Sequence, residues 1–412
     1  MDEARRAIET VARHSYGRLV SYLSARWRDV AAVEDALSEA FLAAMRTWPA
    51  EGVPDKPEAW LLTAARHRLI DHARHDRMRS ESGPALRIAL EEAEEMSLAS
   101  VFPDERLKLL FVCAHPAIDP GVHAPLMLQV VFGLDAAAIA RAFLVSPATL
   151  SQRLVRAKAK IRDAGIAFDV PVGSELPKRL DAVLDAIYAA YGSGWDDLDG
   201  VDPRLRGLTD AALMLARVLI DLLPDEPEAR GLLALMLYCE SRRQARRADD
   251  GAYVPLSEQN TGLWSSPLIE EAERVLASAA ELNRFGRFQL EAAIQSAHVE
   301  RARGGRVDWP GIALLYEGLV RAAPALGAFV GRAAALGEVR GAEAGLALLD
   351  EIPAESVKAY QPYWAVRAHL LQRLGRTAEA SEAYDLAIGL TEDGAIRKFL
   401  LQRRGLKLEV RH

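Results

Sequence analysis

Cysteine is nearly absent: the 412 residues hold only Cys113 and Cys239. They lie far apart and outside any paired Cys/His spacing, so neither a disulfide framework nor a structural zinc site is expected. Also missing is any apolar run long enough to cross a bilayer, and the chain opens on charge (Asp2, Glu3, Arg5, Arg6) instead of a hydrophobic signal core. This reads as a cytoplasmic chain with no membrane partner. There is no Gly-rich phosphate loop, nucleophile elbow or metal-ligand spacing, and Cys113 near His115 reads as a packed pair. The expectation is a protein that binds rather than catalyses, with no cofactor and no metal. Alternating β-branched runs are scarce as well, which argues against sheet.

What is present is helix-forming: half of the residues are hydrophobic, apolar positions recur at three and four, and Ala, Leu, Arg and Glu dominate. An all-α protein is expected. Its length exceeds what one core usually serves. An acidic, weakly apolar stretch (Ser80, Ser82, Gly83, Pro84, then Glu91, Glu92, Glu94, Glu95) and a second break at Gly165, Pro171, Gly173 and Pro177 divide it. The division reads as a helical domain over 1–79, a linker over 80–103, a second helical domain over 104–165, a linker over 166–177, and a helical extension over 178–412.

The net charge of -7 argues against a nucleic-acid partner only if it is spread evenly. It is not. Up to Gly165 acids and bases are about balanced, and Arg141, Arg153, Arg156, Lys158, Lys160 and Arg162 follow one another with no acid between them. That basic run is the first pointer to DNA.

From Val33 to Trp48, Val33, Ala36, Leu37, Ala40, Phe41, Ala44, Met45 and Trp48 form an inward stripe, with Asp29 placed to cap the helix. Asp35, Glu39 and Leu42 line up on another side and suit a basic partner helix. The next helix opens at Asp55, Pro57 and Glu58, a capping-box-like start, and runs to about Arg79. Leu62, Ala65, Leu69, Ile70 and Ala73 face inward. Trp60, His67, Arg68, Asp71 and Arg74 lie on another side, where a ring among cations suits phosphates and unpaired bases. Further on, a short helix from Asp135 to Phe143 is followed by the turn Leu144-Val145, and Ser146-Pro147 opens a second helix. Its seam is Leu150, Leu154, Ala157 and Ile161. Thr149, Gln152, Arg153, Arg156 and Lys160 are left outward, in helix-turn-helix order, where Gln and Arg can read base edges and the later cations hold phosphates.

These motifs, in this order, resemble the extracytoplasmic-function (ECF) sigma factors of the sigma-70 type. Residues 29–41 (DVAAVEDALSEAF) look like the family's grip on the coiled coil of the polymerase beta-prime subunit, which implies RNA polymerase core binding through Asp35, Glu39 and Leu42. Residues 60–77 (WLLTAARHRLIDHARHDR) look like the segment that melts and reads the downstream promoter element. Residues 134–162 resemble the helix-turn-helix that binds the minus-thirty-five element. Residues 104–116 (DERLKLLFVCAHP) and 140–165 (ARAFLVSPATLSQRLVRAKAKIRDAG) are similar to a subgroup with a tetratricopeptide-type extension. The resemblance implies a sigma factor directing promoter recognition and transcription initiation, with polymerase core and promoter DNA as partners.

Within the extension, Trp364, Ala368, Leu371, Gly375, Ala380, Tyr384 and Ala387 fit the tetratricopeptide spacing. A shift of about 35 residues lands on Phe329, Ala333, Leu336, Gly345 and Leu349. Such repeats make a concave face for a protein or peptide, and the acidity of this half favours a basic partner. The alternative reading is a helix-turn-helix regulator with a ligand- or protein-sensing repeat domain that acts without polymerase. The acidic and the aromatic-basic helices discriminate, since a simple repressor needs neither.

Overall fold

Local signals set the helix ends. The Asp29 carboxylate accepts from the Ala32 amide at 3.1 Å, and Arg28 just before it takes a left-handed conformation that closes the preceding helix. In the computed structural model, which describes residues 2–77, 104–143, 145–195 and 203–405, such helices account for most of the backbone. The protein is all-α. Among the described residues no strand forms, and a single bridge pairs Arg247 with Tyr253. The expected linker at 80–103 lies outside the described residues.

The chain divides into two compact units, Met1–Leu215 and Ala216–His412. In the first, α1 (Asp2–His14), α2 (Tyr16–Trp27), α3 (Val30–Glu51) and α4 (Pro57–Arg77) form one group. Val33, Ala36, Leu37, Ala40, Ala44 and Trp48 of α3 are buried as expected, with Leu61, Leu62, Ala65 and Leu69 of α4. Met45 is not: it is 59% exposed, beside exposed Leu42. The apolar stripe is narrower than the sequence suggested, because α4 covers only one side of α3. Glu58, which opens α4, accepts from the Ser15 hydroxyl and so ties α4 to the start of α2.

A second group follows in the same unit: α5 (Arg106–Cys113), α6 (Pro120–Phe132), α7 (Ala136–Ala142) and α8 (Pro147–Asp163). Every residue from Leu109 to Cys113 is fully buried, so α5 is covered on all sides. The covering helices are α2, α6 and, from the start of the expected extension, α9 (Glu175–Trp195). Arg179 of α9 donates to the Phe111 carbonyl, and its guanidinium lies 5.8 Å from the Phe111 ring. Leu180, Val183, Leu184 and Ile187 are buried on the same helix. The two groups also touch backbone to backbone, since a Cβ on Gly17 of α2 would sit 2.3 Å from the Val131 carbonyl oxygen of α6.

The boundary between units falls inside α10 (Pro203–Leu222). In the second unit α11 (Pro227–Ser241) packs on α12 (Ser266–Ala280) and α13 (Arg287–Val299). α14 (Trp309–Ala322), α15 (Leu326–Arg340), α16 (Ala342–Asp350), α17 (Ala354–Val357), α18 (Gln361–Arg373), α19 (Thr377–Leu390) and α20 (Gly394–Gly405) continue it, each long helix packing on its sequence neighbour. Ala368, Leu371, Ala380, Tyr384 and Ala387 lie in one core with Ala333 and Leu349, and Trp364 packs against it.

Candidate nucleic-acid interface

On α3, Asp35, Glu39 and Leu42 are all exposed, along one side of the helix. Leu42 and Met45 add an apolar end to the acidic stripe, being 53% and 59% exposed. Glu39 reaches Arg68 of α4 at 3.1 Å, so the acidic stripe and the aromatic-basic side of α4 meet along one edge. On α4, His67, Arg68 and Asp71 are exposed, whereas Trp60 is half-buried with its ring edge against Trp48 at 5.5 Å. The side chain of Arg74 lies outside the described residues.

α8 is built by its own first turn. Ser146 accepts from the Thr149 amide at 3.1 Å, and Pro147 takes the first helical position. The Thr149 hydroxyl lies 2.7 Å from that of Ser146, so part of its hydrogen-bonding capacity serves the cap. Leu150, Leu154, Ala157 and Ile161 are buried, and Ile139 of α7 is fully buried. Thr149, Gln152, Arg153, Arg156 and Lys160 are all exposed, with Val155 66% exposed among them. Val155 escaped the sequence reading because it is a lone apolar residue in a basic run. Beside two arginines it offers an apolar contact of the kind a thymine methyl makes.

Residues 11–79 match sigma-70 region 2, and residues 179–280 match a family of unknown function, DUF6596. An uncharacterized protein of Rhizobium meliloti (strain 1021) is 36% identical over 394 residues, covering 94% of this chain and 92% of the relative. The chain belongs to the sigma-70 family. No solved structure matches it. The region 2 match takes in α2 to α4, the helices that carry the acidic stripe and the aromatic-basic face, and with region 2 goes binding to RNA polymerase core and promoter DNA. No helix among the described residues is long and apolar enough to cross a membrane.

One member of this sigma factor's basic run is turned inward. Lys158, read from sequence as a DNA-facing cation, pairs instead with Glu34 of α3, their side chains only 12% and 13% exposed. Burial pushes the Glu34 carboxyl above the usual carboxylate range, opposed by Lys158 and by the Tyr16 hydroxyl that bonds to it. The Tyr16 hydroxyl is raised in turn, first by burial and then by Glu34. At the next turn of α8, Arg162 lies 3.6 Å from Asp29. Nothing in the local pattern marks Glu34 or Lys158, because each looks like one more charge on an amphipathic helix and the partner is far away in sequence.

Proposed function

We propose that this sigma-70 family chain is an ECF-type sigma factor, a promoter-addressing subunit with no catalysis of its own that works in the cytoplasm, the polymerase supplying nucleotidyl transfer. Asp35, Glu39 and Leu42 bind the beta-prime coiled coil of RNA polymerase core. Trp60, His67, Arg68, Asp71 and Arg74 serve promoter melting, with Trp60 half-buried against Trp48. Residues 104–165 act as a helix-turn-helix in which Thr149, Gln152, Arg153, Arg156 and Lys160 contact the upstream element. Residues 178–412 form a tetratricopeptide-like extension that regulates the sigma domains or binds a protein or peptide. The observation that carries the reading is the pairing, in one compact unit, of a solvent-facing acidic stripe on a region 2 helix with a basic helix whose outward residues are those able to read bases.

Run-off transcription with core polymerase on genomic fragments tests it. The full chain should direct initiation from discrete start sites. A variant carrying Asp35→Lys and Glu39→Lys should keep its helical circular dichroism and lose co-purification with core. Undiminished core binding by that folded variant would remove the α3 assignment.

A further inference from the structure

Between α11 and α12 the chain runs through residues 242–265 with only single helical turns. Part of this stretch reaches residues far along the second unit. Arg247 donates to Asp393 at 2.8 Å, the Tyr253 ring lies edge-on to Phe399 of α20 at 5.4 Å, and Glu258 pairs with Arg403 of the same helix. Arg301, just beyond α13, donates to the backbone carbonyls of Leu256 and Gln259. Pro255 and Gln259 themselves have the extended backbone of a polyproline-type segment.

Contacts of this kind are those a protein makes to a bound peptide, with fixed donors on main-chain carbonyls and separate partners for individual side chains. From Arg246 to Glu258 no residue is fully buried. The segment is thus held by polar and ring contacts instead of a core of its own, and belongs to the parts of a fold that open most readily. Its closed arrangement also leaves groups unpaired: Gln259 Oε1 and Trp264 Nε1 are buried without a hydrogen-bond partner, which is costly. The surface beneath is cationic. α20 carries Arg397, Lys398, Arg403 and Arg404 with no acid among its residues, and Lys398 is exposed. The acidity of this half predicts a basic partner, yet here the sign is reversed, and the segment itself brings Asp249, Asp250 and Glu258.

We propose that residues 247–259 are a built-in occupant of a peptide seat formed by Arg301, Phe399 and Arg403. The seat's partner is an extended acidic segment of another protein that presents an aromatic residue, then a proline, then a carboxylate, in the order of Tyr253, Pro255 and Glu258. This rests on, and deepens, the reading of residues 178–412 as binding a protein or peptide. A short tether gives the built-in segment an effective concentration of roughly millimolar order, so the seat stays masked until a stronger ligand displaces it.

The test uses the full-length chain and a fluorescein-labelled peptide with the sequence of residues 247–259, followed by anisotropy. Hydrogen exchange runs in parallel, because the Ala248 and Val254 amides bond within the segment and report its order. Tyr253→Ser with Glu258→Gln removes two anchors, and Glu258→Gln alone changes one charge on a half-exposed side chain. Both variants should keep their circular dichroism, speed exchange at Ala248 and Val254, and bind the peptide roughly tenfold or more tightly than the unmodified chain. The gain should shrink as salt rises, and Arg301→Gln with Arg403→Gln in the opened chain should remove it. A peptide carrying the same two substitutions as the double variant should not bind. Persistent protection in both folded variants, equal binding of the two peptides, or a gain that survives loss of both arginines would overturn the built-in occupant and leave the extension's other faces open to a partner. Preference of the opened chain for a third peptide with lysine at the acidic positions would overturn the partner's charge. An opened chain that takes none of the three would overturn the proposal and, for this face, the peptide-binding reading beneath it.

Discussion

His298 lies edge-on to Trp309 at 5.5 Å, and burial, together with Arg242 and Arg301 nearby, lowers its pKa to about 4. The unfolded chain binds a proton on this ring below about pH 6.5, whereas the folded chain resists doing so until about pH 4. Between those values the unfolded state holds more protons, so stability falls as pH drops through the window and is unaffected above it. The loss approaches about 3 kcal/mol at the acid end. Urea unfolding of the chain and of His298→Gln at pH 7 and pH 4.5 should show a smaller acid loss in the variant. Equal losses would mean that the ring is protonated in the fold. On α8, Arg153→Ala or Arg156→Ala should each cost about 1–3 kcal/mol of promoter affinity with altered preference at one base pair. Uniform weakening across promoter variants would reassign that arginine to a phosphate. The same helix shows where single residues were legible: Leu150, Leu154, Ala157 and Ile161 announce their burial by spacing alone. Lys158 does not, because its side is chosen by Glu34, a contact made only after the two groups have packed.

At the scale of the element, the caps and turns were readable because their causes are local. Asp29 and Ser146 both cap the helices they precede, and Gly375 takes the left-handed conformation that joins α18 to α19. What exceeded the local signal was the width of faces, as Met45 shows: a periodic stripe reveals which side is apolar but not how far the neighbouring helix extends over it. Gly345, like Ala380, is a small residue buried where two helices meet. A Cβ there would lie 2.7 Å from the Ala333 carbonyl oxygen, so Gly345→Ala must spread α15 from α16, at about 1–3 kcal/mol. Gly389 of α19 faces open space. Gly389→Ala should instead stabilise by about 0.5 kcal/mol through helix propensity. Thermal unfolding followed by circular dichroism should give shifts of opposite sign, and a shift of the same sign in both would refute the close-packing account.

For the molecule as a whole, the sequence places two helical domains ahead of an extension that starts at residue 178, and the first compact unit runs further, to Leu215. The reason is Arg179 and the buried face of α9, which complete the covering of α5. A chain stopped after Gly165 should therefore expose apolar surface around Phe111 and aggregate, while one stopped after Leu222 should remain monomeric and helical in size-exclusion chromatography and circular dichroism. A monomeric, fully helical shorter fragment would refute that dependence. The Leu222 fragment also provides the comparison for the extension. If residues beyond it regulate the sigma domains, promoter affinity or transcript yield should differ between fragment and whole chain, and adding back the separate extension should restore the difference. Identical behaviour would leave binding of another protein as the extension's role.

The place of α9 in the fold also bears on how the protein is made. A chain emerges from the ribosome N-terminus first, at about 5–20 residues per second. Leu109, Leu110 and Phe111 thus appear well before Leu184 and Ile187, residues of the helix that covers them. During that interval the nascent protein presents an apolar surface to folding helpers and to other chains, and the group of helices from Arg106 to Asp163 reaches its final form only after the first helix of the DUF6596 segment has been translated.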